Sequence, residues 1–170
     1  MSLPAAGIEI DMRCERWALQ CPDAERQVRA AAGLALAEGA KAAGIAFEAP
    51  VELSIALLDD AEQRRLNRHW RGVDRATNVL AFPAWEPGAP APSGAPLLLG
   101  DVTLAAETVA REAADQGKSI PDHLSHLVVH GVLHLIGYDH LTDCEAAAME
   151  SLEITILAAL GVADPYRGTI

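Results

Sequence analysis

The run His130-Gly131-Val132-Leu133-His134-Leu135-Ile136-Gly137-Tyr138-Asp139-His140 decides how this chain is read. Upstream of it, from Pro121, the residues Leu124, Leu127, Val128, Val132, Leu133 and Leu135 cover nearly the whole circumference of a helix with apolar side chains. A helix of that kind belongs inside a protein, packed on all sides. Gly137 predicts its end. His130 and His134 are four residues apart and stack on one helix face. Two imidazoles placed so can reach a single ion at about 2.0–2.1 Å. Past Gly137 the chain can turn and bring His140 to the same point. Three neutral nitrogens leave a fourth coordination position open for water, as catalytic zinc sites do and closed structural sites do not.

A lone histidine on an apolar helix is usually a hydrogen-bonded core residue. Three at this spacing are poorly explained that way, because the helix offers mostly Leu, Val and Ile as neighbours and a buried imidazole needs polar partners. His123 and His126 precede the run. His126 lies one turn before His130 and is a candidate either to support a ligand or to bond phosphate, whereas His123 and the distant His69 read as structural and surface residues. Asp139 adjoins a ligand and either shapes the turn or orients an imidazole. Gly131 occupies the place where the peptidase motif H-E-x-x-H carries its general-base glutamate, which argues against peptide hydrolysis. The zinc-deaminase signature, the P-loop and G-x-S-x-G are absent as well.

Outward from the histidines, alternation predicts strands at Ile8–Met12 and Val51–Leu57; Thr77–Phe82, closed by Pro83, and Leu97–Thr103 are the further strand candidates. Helices are predicted from Asp23 to about Glu38, from the Asp59-Asp60 cap to about Trp70, over Leu104–Gln116, from Pro121 to Gly137, and from an Asp143 cap through Leu160. Between the last two strands, Pro83 to Pro96 holds five of the ten prolines with Gly88 and Gly94. That is a loop, either mobile and functional or a tolerated surface insertion. Four strands, two of them paired around this loop, and about five helices predict a single α+β domain over 1–170 with a mixed sheet.

The chain has 170 residues, a formal charge of -11 and a sequence pI of about 4.8, with hydrophobic residues at 51%. A surface so acidic cannot hold nucleic acid everywhere, since phosphate contacts need Lys and Arg. Yet five of the eleven arginines fall between Arg64 and Arg75, with Asp74 the only acid between Glu62 and Glu86. The planar fork of an arginine fits phosphate in two places at once, and Arg68, Arg71 and Arg75 are candidates in this stretch. Thr77 and Asn78 either contact substrate or cap and turn the chain. Cys14, Cys21 and Cys144 are odd in number and widely spaced, which argues for free thiols. No apolar run approaches the roughly 20 residues of a membrane span, and no signal core opens the chain, so the cytoplasm is the expected location.

At these residues the sequence resembles the YbeY family of bacterial endoribonucleases, also called rRNA maturation factors. His130–His140 matches the family pattern H-G-x-L-H-L-x-G-Y-D-H without a gap. Leu66-Asn67, Trp70-Arg71-Gly72 and Thr77–Pro83 resemble its L-N-x-x-W-R-G and T-N/D-V-L-S-F-P segments, with Ala81 where Ser is common. Leu99–Val102, Met149-Glu150, Glu153 and the tail at Leu160-Gly161 and Pro165-Tyr166 extend the likeness over roughly residues 50 to 167. The resemblance implies a fold distantly like zinc peptidases and three histidine ligands. The implied ion is zinc or another divalent transition metal, and the functional arginine is at position 71. It further implies cleavage of single-stranded RNA in 16S rRNA 3′-end maturation and ribosome quality control. The small ribosomal subunit and an Era-like GTPase are the implied partners.

The residues leave the chemistry partly open. A metal on three histidines can activate water or polarise phosphate, but no general base is evident. Attack by the RNA 2′-OH and by activated water are both consistent with the sequence. Two other readings stand beside an endoribonuclease: a non-catalytic ribosome-assembly factor with a structural metal, and a zinc hydrolase of another substrate.

Overall fold

The computed structural model describes residues 6–168. The elements run β1 (Ala6–Met12), α1 (Glu15–Gln20), α2 (Ala24–Ala42), β2 (Val51–Leu58), α3 (Asp60–Arg71), β3 (Val79–Pro83), β4 (Leu97–Ala105), α4 (Ala106–Asp115), α5 (Ile120–Leu135) and α6 (Asp143–Ala159). The sheet order is β1-β2-β4-β3. β1 and β2 run parallel, as do β2 and β4, while β3 returns antiparallel to β4 and forms an edge. The mixed four-stranded sheet is thus as expected, with β3 and β4 joined by the proline-rich loop.

One sheet face makes the core. Val51, Leu53, Ile55, Leu57, Leu99, Val102 and Leu104 are buried there against Val28, Ala31, Ala32 and Ala35 of α2 and Leu124, Val128 and Val132 of α5. The alanines let α2 lie close to its neighbours. α5 is the central helix that its sequence predicts, with ten buried residues. Ser119 caps it by accepting from the Asp122 N–H, and Pro121 sits in its first turn, where a missing N–H costs nothing.

The structure departs from the sequence expectations at several boundaries. Six helices are present among the described residues, not five. The extra one, α1, is six residues long, too short to show a period; the wholly buried Trp17 pins it by donating to the Leu58 carbonyl at 2.9 Å. β4 continues to Ala105, so α4 starts two residues later than composition suggests, because Leu104 and Ala105 still pair with Leu57 and Leu58 of β2. α6 is capped by Thr142, not Asp143: Thr142 and Glu145 exchange side chain-to-backbone hydrogen bonds in a capping box. No helix among the described residues is long and apolar enough to cross a membrane.

Candidate metal centre

His130 and His134 leave α5 on one face, and their Nε2 atoms stand 3.1 Å apart. Gly137 then takes φ +103°, a conformation that favours glycine. The Tyr138 N–H returns to the Leu133 carbonyl at 3.1 Å, and the Tyr138 hydroxyl donates to the Gly39 carbonyl of α2 at 2.8 Å. This pinned turn brings the His140 ring within 5.7 Å of the His130 ring and 5.1 Å of the His134 ring, centre to centre. One nitrogen from each of the three lies within 4.8 Å of the others. Asp139 accepts from the His140 N–H at 2.8 Å and lines the same cleft.

The donor chemistry fits a metal ion. His130 Nδ1 donates to Glu153 at 2.6 Å, which leaves its Nε2 with a lone pair facing His134. Two nitrogens sharing a tetrahedral ion at about 2.0–2.1 Å would stand about 3.3 Å apart, close to the spacing seen. Burial, followed by the neighbouring His130 and His140, keeps the His134 imidazole below its ordinary pKa and so in the neutral form a ligand needs.

Glu153 is the residue that sequence reading did not single out as a site residue. It is fully buried on α6, among Met149, Ile156 and Leu157. His126 Nε2 donates to it at 3.0 Å, and the Tyr166 hydroxyl donates as well. Burial pushes this carboxyl up, but the hydrogen bonds from His126, His130 and Tyr166 outweigh it and bring it down to about 2. Its sequence signal was an acid within an apolar helical stripe, a placement that requires partners. His126 therefore sits in the network behind His130, with little of its side chain exposed.

The cleft in front of the histidines has a volume of about 320 Å³ and is lined by Arg71, Val79, Ala81, Pro83, His130, Gly131, His134, Asp139 and His140. Larger hollows exist on the outer sheet face, one of about 560 Å³ over β1, β2 and β4, but the three-histidine group is the one potential metal cluster among the described residues. Arg71 comes from the last turn of α3 and is exposed at the cleft. Arg68 and Arg75 are exposed outside its lining; Arg68 lies close enough to Asp74 to help lower that carboxyl, after the larger effect of Arg64. The Arg75 carbonyl accepts from Asn67 at 2.9 Å. Asn78 is committed to holding β3, its Oδ1 accepting from the Val79 N–H and its Nδ2 donating to Glu112.

Gly131 has a steric reason. A Cβ there would lie 2.7 Å from Val102 Cγ1 and 3.4 Å from Val79 Cγ2. α5 presses onto β3 and β4 at this point, and a side chain there would have to displace the Val102 methyls. The place of the peptidase base is thus taken by packing.

The family described as Endoribonuclease YbeY matches residues 13–161. The chain belongs to the YbeY family. An Endoribonuclease YbeY of Paramagnetospirillum magneticum is 56% identical over 160 residues, covering 94% of each chain. Another, from Rhodopseudomonas palustris, is 54% identical over 146 residues, 86% of this chain and 84% of its own. Among solved structures, the solution structure of TM1509 from Thermotoga maritima superposes with a TM-score of 0.54 at 20% identity, covering 91% of both chains, which supports the fold.

Proposed function

We propose that this YbeY-family chain is a metal-dependent endoribonuclease that cleaves single-stranded RNA at the cleft between α5 and β3. The observation that carries the reading is the placement of Arg71 and three convergent imidazoles around one 320 Å³ cleft. His130, His134 and His140 would hold the ion, with zinc the first candidate for an all-imidazole donor set. When bound, the ion supplies Lewis-acid stabilisation of phosphate charge and lowers the pKa of water.

The chain's own residues do the rest. Arg71 binds non-bridging phosphate oxygens through its fork and offsets their charge. Glu153 holds His130 in the tautomer that keeps Nε2 available. Gly131 lets the helix bearing two histidines lie directly against the edge strand. No carboxylate stands where a peptidase keeps its base, so the proton from the nucleophile goes to water, to substrate, or to Asp139 at the cleft wall. The family points to 16S rRNA 3′-end maturation and ribosome quality control. The small ribosomal subunit and an Era-like GTPase are the corresponding partners, in the cytoplasm.

The test is cleavage of single- and double-stranded RNA by metal-loaded, chelated and Arg71→Ala protein. Expected are loss of cleavage on chelation with the fold retained by circular dichroism, and a ~10²–10³-fold loss in kcat for Arg71→Ala at full metal content. Arg71→Lys should recover only part. Unfolding on chelation, with no cleavage by the loaded protein, would instead favour a structural metal in an RNA-binding factor.

A further inference from the structure

The histidine cleft accounts for a phosphodiester, yet it contains no flat surface for a base. Next to it lies a second hollow of about 670 Å³, which shares Ala81 and Pro83 with the cleft and adds Trp70, Phe82, Leu66, Arg13 and Asp101 among its walls. Of the three tryptophans, Trp17 is 0% and Trp85 8% exposed, whereas Trp70 is 65% exposed. Its indole is not loose on the surface. The Phe82 ring lies 6.2 Å away at 62° and the His69 ring 4.8 Å away at 85°, so edge contacts support it while much of the residue faces solvent. Trp70 and Arg71 are consecutive on the last turn of α3, and successive helical residues point about 100° apart. That angle sends the guanidinium to the cleft and the indole to the neighbouring groove.

We infer that Trp70, supported by Phe82, is a stacking platform for an unpaired nucleobase adjoining the phosphodiester held in the cleft. The inference rests on the reading of Arg71 as a phosphate contact. The chemistry suits a single strand: a base in a duplex has both faces covered by its neighbours, while an unpaired base can lie on an aromatic ring whatever its identity. Glu62 in the same groove is paired with Arg13 at 2.8 Å. Acidic Asp101 also lines this groove, whereas Arg71 lines the cleft, so the strand's phosphates keep to the Arg71 side and the base crosses the Ala81–Pro83 rim.

The test uses full-length protein and two single-stranded oligoribonucleotides of equal length, one intact and one with abasic residues throughout. Binding is measured by anisotropy in chelator, where cleavage is stopped, and kcat and KM are measured on zinc-loaded protein. Trp70→Ala should weaken binding of the intact strand about 5- to 150-fold, the range for loss of one stacked base. It should leave the abasic strand unchanged, raise KM more than it lowers kcat, and preserve metal content and the melting temperature. Trp70→Phe should restore most of the affinity, and the intact strand should quench the exposed indole. Equal losses on both strands, or no loss on either, overturn the inference; the second result leaves the groove to a protein partner. Arg71→Ala separates the two readings, since it should weaken both strands alike. If Arg71→Ala changes neither strand, the phosphate reading fails, while a loss confined to the intact strand in Trp70→Ala still shows a base on the indole.

Discussion

α5 carries a histidine–glutamate pair near each end, and the two pairs do different things. Near its start, His123 is 3% exposed, and its Nε2 bonds Glu112 at 2.8 Å. Glu112 also takes Asn78, so this pair ties α4, α5 and the start of β3 together. Burial, partly opposed by Glu112, keeps His123 below its ordinary pKa. Near the end of α5, His130 bonds Glu153 through Nδ1 instead and turns Nε2 toward His134 and the cleft. The same two residue types serve as a structural tie in one place and as a candidate ligand with its support in the other. What separates them is which ring nitrogen the carboxylate takes and whether the other one faces a cavity.

The largest test of this contrast is ligand removal. His130→Ala, His134→Ala and His140→Ala should each lose most of their metal by elemental analysis, because three ligands leave no redundancy. His123→Ala should keep its metal but lose about 1–3 kcal/mol of stability, the usual cost of emptying a buried site and breaking its tie. Full occupancy in His140→Ala would remove that residue from the centre.

The two glutamates sharpen the comparison next. Glu153→Gln should weaken metal affinity about 10- to 100-fold in a chelator competition, as expected for a group that orients a ligand. Glu112→Gln should leave the affinity as it is. Equal affinities in the two variants would show that Glu153 is only a packing residue. Acid titration offers a related check on metal-free protein. Since the folded Glu153 carboxyl is depressed from 4.5 to about 2, its contribution to stability is present above pH 4.5 and drains away as pH falls toward 2. Glu153→Gln should flatten the dependence of Tm on pH in that window, and a parallel curve would refute the assignment.

A smaller effect is expected where α5 meets the sheet. Gly131→Ala places a methyl 2.7 Å from Val102 and should cost about 1–3 kcal/mol by overpacking. The Gly131→Ala/Val102→Ala pair should recover part of it; a neutral single variant would mean that the contact yields easily. Smallest is the exposed Arg64–Asp74 pair at 2.8 Å. Asp74→Asn should barely move Tm, and the difference should vanish in high salt.

Sequence alone determined much here. The helical spacing of His130 and His134, the glycine after them and the return of His140 depend on local periodicity and backbone conformation, so the cluster was legible without a fold. β1 and β2 were legible from alternation and β3 and β4 from short apolar runs, although the β4–α4 boundary was not, because pairing with β2 rather than propensity holds Leu104 and Ala105 extended. Three things required tertiary structure. Glu153 lies 23 residues from His130 along the chain, and only the packing of α6 against α5 joins them. His126 could have pointed outward or inward, and its bonds to Glu153 and Tyr166 turn it inward. Arg71, Arg68 and Arg75 look alike in a basic stretch, but the last turn of α3 brings only Arg71 into the lining of the cleft. Local signals suffice where neighbours in sequence are neighbours in space; where a side chain's partner comes from another helix, only packing decides what the residue does.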